Sequence, residues 1–173
     1  MVHSVELLFD PETEAAVRRV WDDLTVAGVR SLATSKAPSN RPHVTLAVAE
    51  HMDDAVREAL RQLIRLLPFQ CTLGAPMIFG RGPFTLVRLL IPTTELLMLQ
   101  AAVHDACMPH MSPGPLPHAD PGHWTPHVTL ARRVPAGKLA DALSLRRLSR
   151  DRPGTAVGLR HWDGNKRIEY PIS

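Results

Sequence analysis

The sequence predicts an α+β fold of two similar lobes about a pseudo-twofold axis, with two antiparallel sheets facing a central cleft and helices outside. Three observations carry this. The hexapeptide Pro-His-Val-Thr-Leu-Ala stands at residues 42–47 and again at 126–131. That offset is close to half of the 173-residue chain, as a duplicated architecture requires. Strand-like and helix-like stretches also precede both copies in the same order. The length suits a single domain over 1–173, with lobe-like halves of about 1–82 and 83–173, and no linker composition separates them.

Val5-Glu6-Leu7-Leu8-Phe9 reads as a short strand, and Asp10-Pro11-Glu12 supplies a cap, a first-turn proline and an early acid. A helix follows, with Ala16, Val17, Val20, Trp21, Leu24 and Ala27 at helical spacing. A polar loop over 34–41 leads to the first His-Val-Thr-Leu strand, and a helix with Val56, Leu60, Leu63 and Leu67 on one stripe comes after it. Phe69–Phe79 and Phe84–Ile91 form a hairpin across Gly80-Arg81-Gly82-Pro83. The second half then repeats the scheme. Pro92-Thr93-Thr94-Glu95 starts a helix carrying Leu96, Leu99 and Val103, and a Pro/His/Gly-rich loop over 109–126 leads to the second motif. A weaker helix near Pro135–Leu148 precedes a second hairpin, Thr155–Trp162 with Arg167–Ile172.

Composition narrows the function. Hydrophobic residues make up 45% of the chain, enough for a core and against disorder. The formal charge is only +3, although all but Lys36, Lys138 and Lys166 of the 20 basic residues are arginine, an excess that compositional bias explains. Aromatics at 5% argue against a long single-strand nucleic-acid track. Cys71 and Cys107 form no framework pattern and read as buried thiols. The opening residues lack the basic start and apolar run of a signal peptide, and no apolar stretch reaches the roughly 18 residues of a bilayer span. A cytoplasmic, monomeric protein without membrane contact is expected.

The repeated motif carries the chemistry. Strand alternation places His43, Thr45 and Ala47 on one face and Val44, Leu46 and Val48 on the other, with His127, Thr129 and Ala131 matching them in the second copy. Under a pseudo-twofold axis the two His/Thr rows meet across one cleft, with the alanines leaving room as a pocket floor. Two imidazoles, with an ordinary pKa of about 6.5, can remove a proton on one side of a phosphodiester and deliver one on the other. Two hydroxyls can donate to its non-bridging oxygens.

These residues resemble a known family. An H-x-[TS]-hydrophobic motif in each lobe, here His43-Val44-Thr45-Leu46 and His127-Val128-Thr129-Leu130, is the hallmark of the two-histidine phosphoesterase superfamily, and the chain is most similar to its bacterial 2′-5′ RNA ligase and cyclic phosphodiesterase branch. The resemblance implies a bilobal fold acting without metal or other cofactor. It also implies opening of 2′,3′-cyclic phosphates to 2′-phosphates, or cleavage and joining of 2′-5′ linkages, on an RNA terminus or a small cyclic nucleotide. In the family's usual assignment the first motif supplies the acid and the second the base, so His43, Thr45, His127 and Thr129 are the candidate catalytic set.

Around this set, Arg41 at the cleft mouth is a candidate for holding phosphate, and Trp124 and Phe84 for contacting a base. Arg132, by strand parity, faces away from His127. His3, His51 and His161 read as surface or edge residues. Two alternatives stand beside the enzyme: a non-catalytic module binding a nucleotide or RNA end, and a zinc hydrolase built on His104, His110, His118, His123 and His127. The Trp-Thr-Pro between His123 and His127 disfavours the helix that their spacing would need.

Overall fold

A computed structural model describes residues 2–173. The chain runs β1 (His3–Phe9), α1 (Pro11–Val26), β2 (His43–Met52), α2 (Val56–Arg61), β3 (Phe69–Phe79), β4 (Phe84–Leu90), α3 (Thr94–Cys107), β5 (Met111–Pro115), β6 (His127–Val134), α4 (Leu139–Leu143), β7 (Arg152–Asp163) and β8 (Ile168–Ile172). The local signals act as expected at the helix starts. The Asp10 carboxylate accepts from the Thr13 amide at 3.1 Å, and the Thr93 hydroxyl caps α3 by accepting from the Leu96 amide. The helices expected over 56–67 and 135–148 are shorter, broken into single turns at Ile64–Leu66, Ala136–Lys138 and Arg146–Leu148. A strand, β5, lies in the loop expected over 109–126.

All strand pairs are antiparallel, and the order is β5-β2-β1-β7-β3-β4-β6, with β8 beside β7. The two lobes are thus β2-β1-β7 and β6-β4-β3, and the two expected sheets are joined through β7. Its Arg152–Ala156 stretch pairs with β3, while Ala156–Asp163 pairs with β1. Each half therefore sends a strand, β3 or β7, into the sheet of the other. The sheet curls until β2 and β6 approach one another, with α3 packed on β2 and α1 on β6. A single cluster, from Val5 to Ile172, fills the space between sheet and helices.

Both motif strands carry the same irregularity. Glu6 stands opposite Thr45 and Val5 opposite Ala47, so Leu46 is an extra residue in β2. Val87 stands opposite Thr129 and Leu86 opposite Ala131, so Leu130 is the extra residue in β6. A β-bulge resets the alternation of everything after it. His43 and Thr45 keep their common face, as do His127 and Thr129, but Ala47 and Ala131 turn into the core beside Leu46 and Leu130, all four fully buried. The expected alanine pocket floor is therefore absent. The next residue to return to the histidine face is Val48 in the first copy and Arg132 in the second.

On the helix side, at the far ends of β1 and β7, two histidines expected at the surface are buried. His161 Nε2 lies 3.1 Å from His3 Nδ1, and among the described residues His161 Nδ1 has no partner. Burial, helped by the charges of His3 and Arg57, pushes the His161 pKa from 6.5 down to about 4. The unfolded chain thus takes up a proton in that interval that the folded chain refuses, and stability falls as pH falls. Acidification from pH 6.5 to 4 is expected to cost about 3 kcal/mol through this group. Urea denaturation across that range checks it, with His161→Gln giving a flatter dependence than the wild type.

Candidate active site

Each histidine is fixed by its own approach loop. His43 Nδ1 donates to the Arg41 carbonyl at 2.7 Å, and His127 Nδ1 donates to the Thr125 carbonyl at 2.7 Å. A carbonyl only accepts, so both rings carry a proton on Nδ1 and keep Nε2 for chemistry. The His127 ring feels the charge of His43, and each ring is partly exposed.

The bulges are held from outside by side chains. A bulge disrupts the ladder, and the carbonyls beside it find other donors. The Trp124 indole N–H donates to the Thr45 carbonyl at 2.9 Å, and the Trp21 indole N–H to the Thr129 carbonyl at 3.1 Å. Each tryptophan thus comes from one half of the chain and holds the motif of the other. The buried Gln100 amide donates to the Leu46 carbonyl at 3.2 Å and the Ala119 carbonyl at 2.8 Å.

Within this symmetric backbone the side chains differ. Opposite Thr45 stands Glu6, and opposite Glu6 stands Arg160; at the matching places opposite Thr129 stand Val87 and then Met77. The Glu6 carboxylate is buried, accepts from Ser4 at 2.7 Å and from Arg160 at 2.7 Å, and lies 3.6 Å from His43 Nε2. Arg160 also reaches Glu169 and the Ser39 carbonyl. His127 has no carboxylate beside it but packs edge-on to Phe79, with ring centroids 4.8 Å apart. Burial first, then the charges of His43 and Arg132, hold its pKa below the ordinary 6.5, against the opposing bond to Thr125.

With this geometry in place, residues 9–163 match the sequence profile of the 2′-5′ RNA ligase superfamily. The chain belongs to that superfamily. Among curated proteins none matches it. Similar solved structures include TT0787 of Thermus thermophilus, 15% identical with a TM-score of 0.59 over 100% of this chain and 96% of that one. Kluyveromyces marxianus Usb1 is 13% identical, with a TM-score of 0.53 over 99% and 97%. E. coli LigT in apo form is 15% identical, with a TM-score of 0.54 over 99% and 94%. At these identities the likeness is one of fold.

In this superfamily member the flanking candidates part company. The Arg41 guanidinium is turned to Glu14 on α1, with Nε and Nη2 at 3.0 and 2.8 Å, so it is the Arg41 carbonyl that serves His43. Trp124 is packed against the core with its N–H spent on Thr45, a buttress rather than a stacking platform. Phe84 shares the core-side face of β4 with Leu86 and Leu90 and packs there; the aromatic at His127 is Phe79, across the hairpin. Arg132 is the reverse case, returned to the His127 face by the bulge, exposed and near enough to weigh on that ring.

The histidines of the metal alternative scatter. His104 turns to Asp120 and His110 to Asp53, and among the described residues no three metal-ligating side chains converge. Burial pushes the Cys71 and Cys107 thiols up to about 11 and about 12, so neither offers a thiolate. Among the described residues no helix is long and apolar enough to cross a membrane.

Trp21→Phe and Trp124→Phe keep the ring volume but remove the N–H, leaving a carbonyl unpaired beside a bulge. Each is expected to cost about 1–2 kcal/mol in urea denaturation, and a neutral result would remove the indoles from the support of the motif strands.

Proposed function

We propose that this protein is a metal-independent phosphodiesterase that opens 2′,3′-cyclic phosphates at RNA ends to 2′-phosphates, or cleaves and joins 2′-5′ linkages, by two-histidine acid–base catalysis. The carrying observation is the matched pair of Nδ1-anchored rings, each on one strand face with its threonine, at the meeting of β2 and β6. Superfamily membership supports phosphoester chemistry. Kluyveromyces marxianus Usb1 has been solved with uridine monophosphate and E. coli LigT with ATP, which supports a nucleotide as the ligand.

The asymmetry of the site supports one assignment of the roles. His127 stays neutral near neutral pH and takes a proton from the attacking water. His43, with the Glu6 carboxylate as neighbour for a cationic ring, gives its Nε2 proton to the departing oxygen. Formation of a 2′-phosphate breaks the bond from phosphorus to the 3′-oxygen, so that oxygen receives it. The Thr45 and Thr129 hydroxyls donate to the non-bridging oxygens, and Arg132 supplies the positive charge that Arg41 cannot. With the 5′-hydroxyl of a second RNA end in place of the water, the same steps join a 2′-5′ linkage, and their reversal cleaves it to the cyclic phosphate. Both halves of the chain act as one domain in this reading, each giving one histidine.

An oligonucleotide with a 2′,3′-cyclic phosphate, incubated in chelator, is expected to yield the 2′-phosphate. His43→Ala and His127→Ala should each lower kcat about a hundred- to ten-thousand-fold. Saturable binding without turnover would overturn the enzyme in favour of a binding module. The ascending limb of the pH–kcat/KM profile is expected below the ordinary histidine value of 6.5, because the free base is His127. Arg132→Ala removes a neighbouring positive charge, so that limb should move to higher pH while KM rises. An unmoved limb would take Arg132 out of the site.

A further inference from the structure

A second concavity lies away from the histidine cleft. A cavity of about 590 Å³ lies on the other face of the sheet, between α1 and the β3-β4-β6 lobe, closed by the segment 146–152. Leu130, Leu73, Val17 and Val20 give it an apolar floor. Arg19, Arg88, Arg146, Arg147, Arg150 and Arg152 surround that floor, against only two lining carboxylates, Asp23 and Asp151. A net of four positive charges thus gathers at one cavity in a chain whose formal total is +3.

The rim is a built arrangement. Arg88, only 3% exposed, stands in the otherwise apolar core-side row of β4. Its guanidinium donates to the Gly74 carbonyl at 2.8 Å, the Arg147 carbonyl at 3.0 Å and the Arg150 carbonyl, with no carboxylate in contact. A buried charge is costly without compensation, and here three carbonyls supply it. In doing so it draws the 146–152 backbone over the cavity and fixes where those arginines stand. Arg147 is paired with Asp23 and Arg152 with Glu12. Among the described residues Arg19, Arg146 and Arg150 have no carboxylate partner and stand exposed around the opening.

We propose that this cavity is a second ligand site, on the opposite face of the sheet from the histidine pair, that takes a nucleoside polyphosphate. The planar fork of arginine suits phosphate oxygens, and the apolar floor suits a base. The volume is that of a pocket for one small ligand. A single-stranded RNA track is disfavoured because no aromatic side chain lines the cavity for successive bases to stack on. Arg19, Arg146 and Arg150 hold the phosphates; Arg88 is a positioning residue for the segment that carries two of them.

The test is calorimetric titration of the whole protein with ATP, in chelator and at low salt, which reads binding and not turnover. Saturable binding is expected, weakened about tenfold or more by Arg19→Ala combined with Arg150→Ala, because charge-assisted bonds to phosphate are lost. Both side chains are exposed, so the fold is retained, and circular dichroism verifies it. His127→Ala and Arg132→Ala should leave this binding within about twofold, because each contact is lost only in the cleft. Arg88→Met is expected to weaken ATP through the displaced segment, and Arg88→Lys to recover part of it. Tripolyphosphate should bind more weakly than ATP; equal affinity would overturn the nucleoside part. Absence of saturable binding, binding lost only with the cleft variants, or an oligoribonucleotide that binds through these arginines while ATP does not would each overturn the site. The cyclic-phosphate assay should be unchanged by Arg19→Ala with Arg150→Ala, so failure of either reading is seen apart from the other.

Discussion

Two polar side chains can share one face of a strand while the next two residues both enter the core only if an extra residue interrupts the alternation. That constraint is met twice, at Leu46 and at Leu130. Each bulge lets a His/Thr pair face the cleft and then returns Leu and Ala to the core within two positions. The broken ladders leave carbonyls that the indoles of Trp124 and Trp21 satisfy. Because each indole comes from the opposite half, the bond that holds a motif strand in shape also ties the two halves together at the cleft.

On this symmetric frame the chemistry is made unequal by what stands across the ladder. Glu6 and Arg160 border His43, whereas Val87, Met77 and Phe79 border His127. One ring faces a buried carboxylate and the other a less polar wall that keeps it neutral. Two histidines with the same local anchoring thereby stand in different electrostatic surroundings, which is the condition for acid and base to coexist in one site. Arg132, where the first copy has Val48, adds positive charge on one side only.

The parts of this design that were legible in the sequence are those written in adjacent letters. The repeated hexapeptide placed His43, Thr45, His127 and Thr129, and turn chemistry placed both hairpins. A bulge has no letter signature, so strict alternation misplaced Ala47, Ala131 and Arg132 together and for one reason. Glu6 and Arg160 lie 154 residues apart and meet only because β7 crosses to pair with β1. Phe79 and Phe84 flank one turn, and which of them faces His127 depends on the register of that hairpin. Trp124 was read by its ring as a stacking surface, but its buried N–H needed an acceptor and found one in the backbone.

The exchange of strands between halves reaches beyond the present chain. Each half on its own, β1 to β3 or β4 to β8, would leave its sheet lacking a strand that the other half provides. Two identical half-length chains trading those strands would complete both sheets and set one motif from each copy beside the two-fold axis, an isologous dimer with a shared cleft. In one chain that axis is only approximate. The two copies can then differ, as they do in the carboxylate that borders His43 and not His127.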